Sequence, residues 1–235
     1  MNQVVHTFFS PHDFRVSLPD VWAGFKINLK LMVVAESQVL VLALAIAIVR
    51  GLPGRGAKPL RALMIVYTDF FRGTPLILVA FVVGFGLPAL NLHVLSNLSN
   101  FAYGVIALTL VYTAYVTEVY RAGIESVHPS QRMAARSLGL SYAQSMRYVV
   151  VPQAVRRVIP PLLNDFIGLQ KDTALVSVIG VAEAALQAQG YSQTYANFTS
   201  YTVAAVLFVL LTIPLARFTD HLIATRERRE RAAAT

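Results

Sequence analysis

Residues 31–49 (LMVVAESQVLVLALAIAIV) form a run of nineteen with a single charge, Glu36. At about 1.5 Å per helical residue the run covers the ~30 Å hydrocarbon layer of a bilayer. It reads as a membrane-spanning helix, and the chain as an integral membrane protein. Composition agrees, with 56% of the 235 residues hydrophobic and 14% charged, whereas charged residues make up about 25% of soluble domains. The net charge of +8 would suggest a nucleic-acid partner for a soluble chain. Here the basic residues stand at the ends of apolar runs, where they set topology, and no nucleic acid is expected. Without cysteine there is neither a disulfide framework nor a thiolate site. The first twenty residues lack the basic and apolar regions of a cleavable signal, so the first membrane helix is expected to direct insertion.

Four further spans follow, giving an all-α membrane protein of five transmembrane helices in a single domain, residues 1–235: 31–49, 62–88, 101–120, 158–180 and 201–218. In the first, Glu36, Ser37 and Gln38 are polar and should face other helices or water. In the second, the purely apolar part, 76–87, is too short to cross alone. It needs 62–71 before it, and Arg72-Gly73-Thr74-Pro75 between the halves predicts a kink or break. That break is either a packing kink or part of a pathway lining, where a cavity can satisfy broken backbone. The fourth span, with Pro160, Pro161, Asp165, Lys171 and Asp172, is too polar to face lipid and must be shielded.

Charge sets the orientation. Residues 50–61 (RGLPGRGAKPLR) hold four basic and no acidic residues among glycines and prolines, and read as a short inner loop that cannot be helical throughout. Residues 89–100 and 181–200 have no Lys or Arg and belong outside, the latter with a short helix up to Gly190. The tail ends in RERRERAAAT, an inner basic segment expected to fray. The amino terminus is therefore predicted outside and the carboxyl terminus inside. Lys26 and Lys30, on the outer approach to the first span, can snorkel to the interface.

Between the third and fourth spans lies an inner loop, 121–157. Ser130 reads as a helix N-cap, with good helix formers from 131 to 138 and Gly139 at the left-handed position beyond the helix end. Ser141 and Gln144 form a capping-box pattern that starts a second helix running toward Pro152. Two helices thus meet at an elbow. Arg132 and Arg136 are four apart and form a basic ridge, while Ala134 and Leu138 form an apolar row. Small alanines suit close approach of another protein better than insertion into lipid, the competing reading for a short amphipathic helix.

QRMAARSLGLSYAQSMRYVVVPQAVRRVIPPLLN resembles the signature loop of ABC importer permeases, Glu-Ala-Ala, three residues, Gly, nine residues, Ile-x-Leu-Pro. Counting from Gly139, the nine residues end at Tyr148, and Val149 to Pro152 occupy the last four positions. YTDFFRGTPL and FIGLQKDTAL further resemble the polar amino acid uptake branch (histidine, glutamine, arginine, glutamate), and the likeness runs from about residue 24 to 217. The resemblance implies a type I importer permease of a bacterial cytoplasmic membrane, partnered by an ATPase dimer, a second permease subunit (the same chain or a paralogue), an extracytoplasmic amino-acid-binding protein and membrane lipid. It implies an ATPase-coupling helix through Arg132, Met133, Ala134, Ala135, Arg136 and Gly139. Met133 stands where the family has Glu, so a docking charge is absent.

In the fourth span Asp165 and Asp172 share one helix face, and Asn164, Gly168 and Lys171 a neighbouring one. Lys171, Asp172 and Thr173 offer donors and acceptors suited to a zwitterion, and the resemblance implies that this segment lies by the substrate pathway; with Asp165 and Thr74 they are the candidate pathway residues. Alternatively, Lys171 and Asp172 pair with neighbouring charges and only hold the bundle together. Arg72 with Asp69, and Glu118 with Arg121, read as structural ion pairs. No phosphate loop is present, so no enzymatic activity, cofactor or metal is expected on this chain; ATP and Mg would be used by the partner ATPase. The competing function is an ion-coupled secondary carrier with Asp172 and Glu36 as ion sites, which would more usually show an internal repeat.

Overall fold

A computed structural model describes residues 2–52 and 54–234; Pro53, one of the two prolines of the 50–61 loop, lies outside them. After a short α1 (Asn2–Phe8), the chain runs as one helix, α2 (Pro11–Gly51), of 41 residues. This is longer than the expected span, which began at residue 31. Its start is set locally: Ser10 caps it by accepting from the Asp13 N–H at 3.3 Å, with Pro11 at the first helical position, where a missing N–H costs nothing. At about 1.5 Å per residue α2 is ~60 Å long, twice the hydrocarbon thickness, so its first half is free to carry other elements. Lys26 and Lys30 on that half are exposed.

The 50–61 loop is non-helical at Leu52 and over Gly54–Ala57, and α3 (Lys58–Gly73) follows. At Thr74-Pro75 the chain turns by 106° into α4 (Leu76–Phe81), a wide π turn (Val82–Gly86) and the short α5 (Leu87–Ala89). The predicted break is real and sharper than a kink. It lays α4 against residues 173–179, the last part of the expected fourth span, rather than continuing α3. α6 (Asn100–Glu125), capped by Ser99, covers the expected third span, 101–120. Beyond it come the elbow helices α7 (Pro129–Ser137) and α8 (Tyr142–Ser145), then a π turn (Met146–Val150) leading directly into α9 (Val151–Asp172). A 3-10 turn (Thr173–Ile179) ends at Gly180, and α10 (Ala184–Tyr195) and α11 (Thr199–Ala234) complete the chain. α10 passes the expected end at Gly190, and the tail expected to fray continues α11 as helix to Ala234.

Among the described residues, Gln3–Gly51, Asn100–Glu125 and Thr199–Thr225 are long and apolar enough to cross a membrane, and the bent pair α3 with α4–α5 makes a fourth crossing if it is one span. α9 falls short because it carries Arg156, Arg157, Asp165, Lys171 and Asp172. It packs against α6 and α11 with Ile167, Leu169 and Gln170 buried, but the expected shielding of its charges does not form within this chain, since Arg156, Arg157 and Lys171 are exposed.

One core gathers Leu31, Ala35 and Val39 of α2, Val79 and Ala80 of α4, Leu108 and Val111 of α6, and Leu169 and Val176. A second joins Val21 and Phe25 of α2 to Ala184 and Ala188 of α10 and Val203 of α11. The polar turn in α2 splits by its 100° steps. Glu36 is half-buried, Ser37 is exposed and bonds back to its own helix at Val34, and Gln38 accepts from Thr109 at 3.4 Å.

Candidate functional site

At the elbow, α7 begins two residues earlier than Ser130 predicts. His128 is the cap, its Nδ1 accepting from the Ser130 N–H at 3.2 Å. Pro129 then takes the first helical position, for which its ring is pre-set; a proline before a candidate Ser cap is the signal that shifts the start. Gly139 has φ of 84° with nothing near its absent side chain, so backbone conformation rather than space requires glycine there. The capping box forms as predicted: the Gln144 N–H donates to Ser141 Oγ at 3.3 Å and the Ser141 N–H to Gln144 Oε1 at 2.9 Å. α7 rests on the 146–150 turn with Ala135 buried. Met133, Ala134, Arg136 and Leu138 are exposed, Leu138 at 81%. Arg132 is half-buried instead of sharing an open ridge with Arg136.

Above the elbow, charges tie three helices together. The Arg50 guanidinium bonds the Glu118 carboxylate and donates to Thr68 Oγ1 at 3.1 Å. Glu118 also takes Arg121 at 2.7 Å, and Arg121 pairs with Glu125. The expected Glu118–Arg121 pair is thus the middle of a chain of four. The expected Asp69–Arg72 pair does not form. The Arg72 guanidinium lies 6.0 Å from the centroid of the Tyr115 ring, a stacking partner supplied by another helix. Arg72, Tyr115, Glu118, Arg157 and Asp165 border an open cavity of about 410 Å³ between α3, α6 and α9.

The three candidate residues at 171–173 occupy three environments. Lys171 is exposed. Asp172 accepts a hydrogen bond from the Tyr112 hydroxyl at 2.8 Å. Thr173 is fully buried; its hydroxyl accepts from Asn28 Nδ2 at 3.0 Å and donates to the Gln170 carbonyl at 2.6 Å. The alternative of an Asp172 ion pair is not what forms, since its partner is a neutral tyrosine. Gly168 makes this possible: a Cβ there would come within 3.1 Å of the Tyr112 hydroxyl. Asp165, two turns earlier, borders the cavity and has one carboxylate oxygen enclosed without a hydrogen-bond partner. Thr74 donates its hydroxyl to the Phe70 carbonyl at 2.8 Å, closing the end of α3 at the 106° break.

Thr173 belongs to a polar joint absent from the sequence reading. Asn28 Nδ2 donates to Glu183 Oε2 at 2.9 Å as well as to Thr173, and its Oδ1 accepts from the Ala184 N–H at 3.0 Å. The fully buried Glu183 also caps α10, accepting from the Ala185 and Leu186 N–H groups, each at 2.9 Å. Burial pushes the Glu183 carboxyl above its ordinary value, and these backbone bonds and the Asn28 bond offset part of that rise. Gly24 lies one turn before Asn28 and lets α2 touch the backbone of Glu183 and Ala184. The only local hint is an acidic residue just ahead of the Ala-Ala-Leu run, the place where a carboxylate caps a helix.

Residues 43–228 match the family described as binding-protein-dependent transport system inner membrane component. The chain is 39% identical over 193 residues to the probable glutamine ABC transporter permease protein GlnM of Bacillus subtilis, covering 82% of this chain and 86% of that protein. It is 35% identical over 207 residues to the glutamate transport system permease protein GluC of Corynebacterium glutamicum, covering 84% and 90%. Among solved structures, a crystal structure of an amino acid ABC transporter with histidines superposes with a TM-score of 0.79 at 35% identity, over 90% of this chain and 94% of that one. The inward-facing MetNI methionine ABC transporter superposes with a TM-score of 0.71 over 87% and 95%; at 16% identity it bears on the fold alone.

Proposed function

Since the chain belongs to the family of binding-protein-dependent transport system inner membrane components, we propose that it is the permease subunit of an ATP-driven importer for polar amino acids. The observation that carries this is the 39% and 35% identity to amino acid permeases over more than four fifths of the chain. On this reading the chain crosses the membrane five times, through α2, the bent α3–α5 unit, α6, α9 with its 3-10 extension, and α11. The amino terminus is outside and the carboxyl terminus inside, as the basic loops favour. A second permease subunit completes the pathway, a binding protein delivers the amino acid outside, and ATP is hydrolysed on a separate subunit.

In the mechanism we propose, the ATPase holds the exposed Met133, Ala134 and Leu138 face of α7. The continuity from α8 through the 146–150 turn into α9 supports this part: movement of the elbow passes along one helical rod to Asp165, Lys171 and Asp172 without crossing a flexible loop. Co-purification tests the assembly. A nucleotide-binding subunit should be isolated with this chain, and uptake in proteoliposomes should require ATP; uptake driven by an ion gradient alone would overturn the proposal.

Two variants examine the proposed roles. Asp172→Asn keeps an acceptor for Tyr112 while removing the charge, and should lower amino acid uptake about tenfold with assembly intact, the scale of one charge-assisted contact. Unchanged uptake kinetics would remove Asp172 from the substrate site. Met133→Glu places an exposed carboxylate in the second turn of α7, at the position where the family pattern carries Glu. It should leave transport intact or raise the ATPase rate coupled to uptake. Loss of the complex on purification would contradict docking at this position.

A further inference from the structure

The inner ends of α2, α3 and α6 enclose, with the elbow, a second open space of about 660 Å³. Its long wall is apolar, from the exposed Leu44 and Ile48 of α2 and Ile65 of α3 to Met146 under the elbow. Its other end is charged, bordered by Arg50, Arg121, Glu125 and Arg132. Three positive residues against one negative leave this border at +2. Two of those arginines are already paired: Arg50 with Glu118, and Arg121 with Glu118 and Glu125. Arg132 is different. Among the described residues it has no ion pair, and its Nε is enclosed without a hydrogen-bond partner.

An enclosed guanidinium N–H with no acceptor is costly. A cation at the mouth of an apolar furrow fits a ligand that is anionic at one end and aliphatic along the rest. Leu44 stands two turns above the end of α2, so the furrow extends about 10 Å up the helix, beyond the reach of a soluble partner docked on the elbow. We propose that this space binds an anionic phospholipid of the cytoplasmic leaflet, with its phosphate on Arg132 and an acyl chain along Leu44, Ile48 and Ile65. The assignment rests on the reading above that places the elbow on the cytoplasmic side. The bound headgroup supplies the acceptor that Arg132 lacks and braces α7 against the membrane-spanning helices.

The test uses the protein purified with whatever subunits accompany it, delipidated and followed by native mass spectrometry. It is titrated with phosphatidylglycerol, with phosphatidylcholine and with inorganic phosphate. Phosphatidylglycerol should be retained about fivefold more strongly than phosphatidylcholine, the effect of one basic residue near an anionic headgroup. Arg132→Met should abolish that preference, and Ile65→Asp, which sets a carboxylate in the furrow away from the elbow, should weaken phosphatidylglycerol retention without altering the amount of accompanying ATPase. Four results would overturn the proposal: equal retention of the two lipids, retention unchanged in both variants, displacement by inorganic phosphate, or loss of the lipid when the ATPase is attached, which would mean that protein covers the space. Absence of an ATPase from the wild-type preparation would instead defeat the importer reading and leave the lipid titration intact.

Discussion

Replacing Gly24 by alanine is expected to destabilise the protein by about 3 kcal/mol, lowering the thermal midpoint by roughly 6–12 °C. The added Cβ would lie 2.6 Å from both Ala184 N and Glu183 C, and 2.8 Å from the Glu183 carbonyl oxygen. These are backbone atoms, so no rotamer change relieves the clash. The first turn of α10 must move off α2 and pull Glu183 away from Asn28. Gly190, inside the same α10, is the control with the opposite sign. A Cβ there meets nothing within 4 Å, and Gly190→Ala should stabilise by about 1 kcal/mol through helix propensity alone. Thermal unfolding in detergent, followed by circular dichroism, measures both; a Gly24→Ala midpoint equal to that of wild type would show that α10 is not seated on α2.

Asn28→Leu should cost about 3–5 kcal/mol, because it strips one bond from a buried carboxylate and orphans a buried backbone donor. Leucine is close in size, so the loss is electrostatic rather than a cavity. Glu183 would keep the Ala185 and Leu186 N–H groups but lose the amide, and the Ala184 N–H would have no acceptor. Asn28→Asp separates charge from shape. It places a second carboxylate against Glu183, whose folded-state pKa already lies above the ordinary value. Stability held by protonation of such a group is present at low pH and lost as pH rises through the raised value. Asn28→Asp should therefore be worse than Asn28→Leu at neutral pH and recover on acidification. A midpoint for Asn28→Asp that did not respond to pH would contradict this account of the joint.

Thr173 sits in that joint one residue beyond Asp172, so the same two variants should also reduce uptake if the end of α9 is the part that meets cargo. The joint then holds Thr173, one of the candidate pathway residues, in place beside α10. Asp172 is held separately, by Tyr112.

Much of the layout is legible in local signals. Among the described residues, three helices long and apolar enough to cross a membrane follow from runs of apolar residues, the break at Thr74-Pro75 from a proline that cannot continue a helix, and the elbow from Gly139 and the Ser141–Gln144 box. Elsewhere one local signal outranks another. Ser130 resembles a cap, yet Pro129 claims the first helical position and hands the cap to His128. Asp69 and Arg72 have helix-neighbour spacing, yet Arg72 goes to Tyr115. The continuous apolar run begins at residue 31, yet Ser10, Pro11 and Asp13 mark the start of α2 twenty residues earlier.

The sequence by itself determined that this chain lives in a membrane, where its helices break and how the elbow is built, because hydropathy and capping act over one or two turns. Only the tertiary structure decided that Thr173 faces Asn28, that Glu183 closes on a helix 155 positions away, and that, among the described residues, the Arg132 Nε at its furrow is enclosed without an acceptor. Those outcomes depend on which buried donor finds which acceptor after the helices pack, a choice made by geometry across the whole bundle.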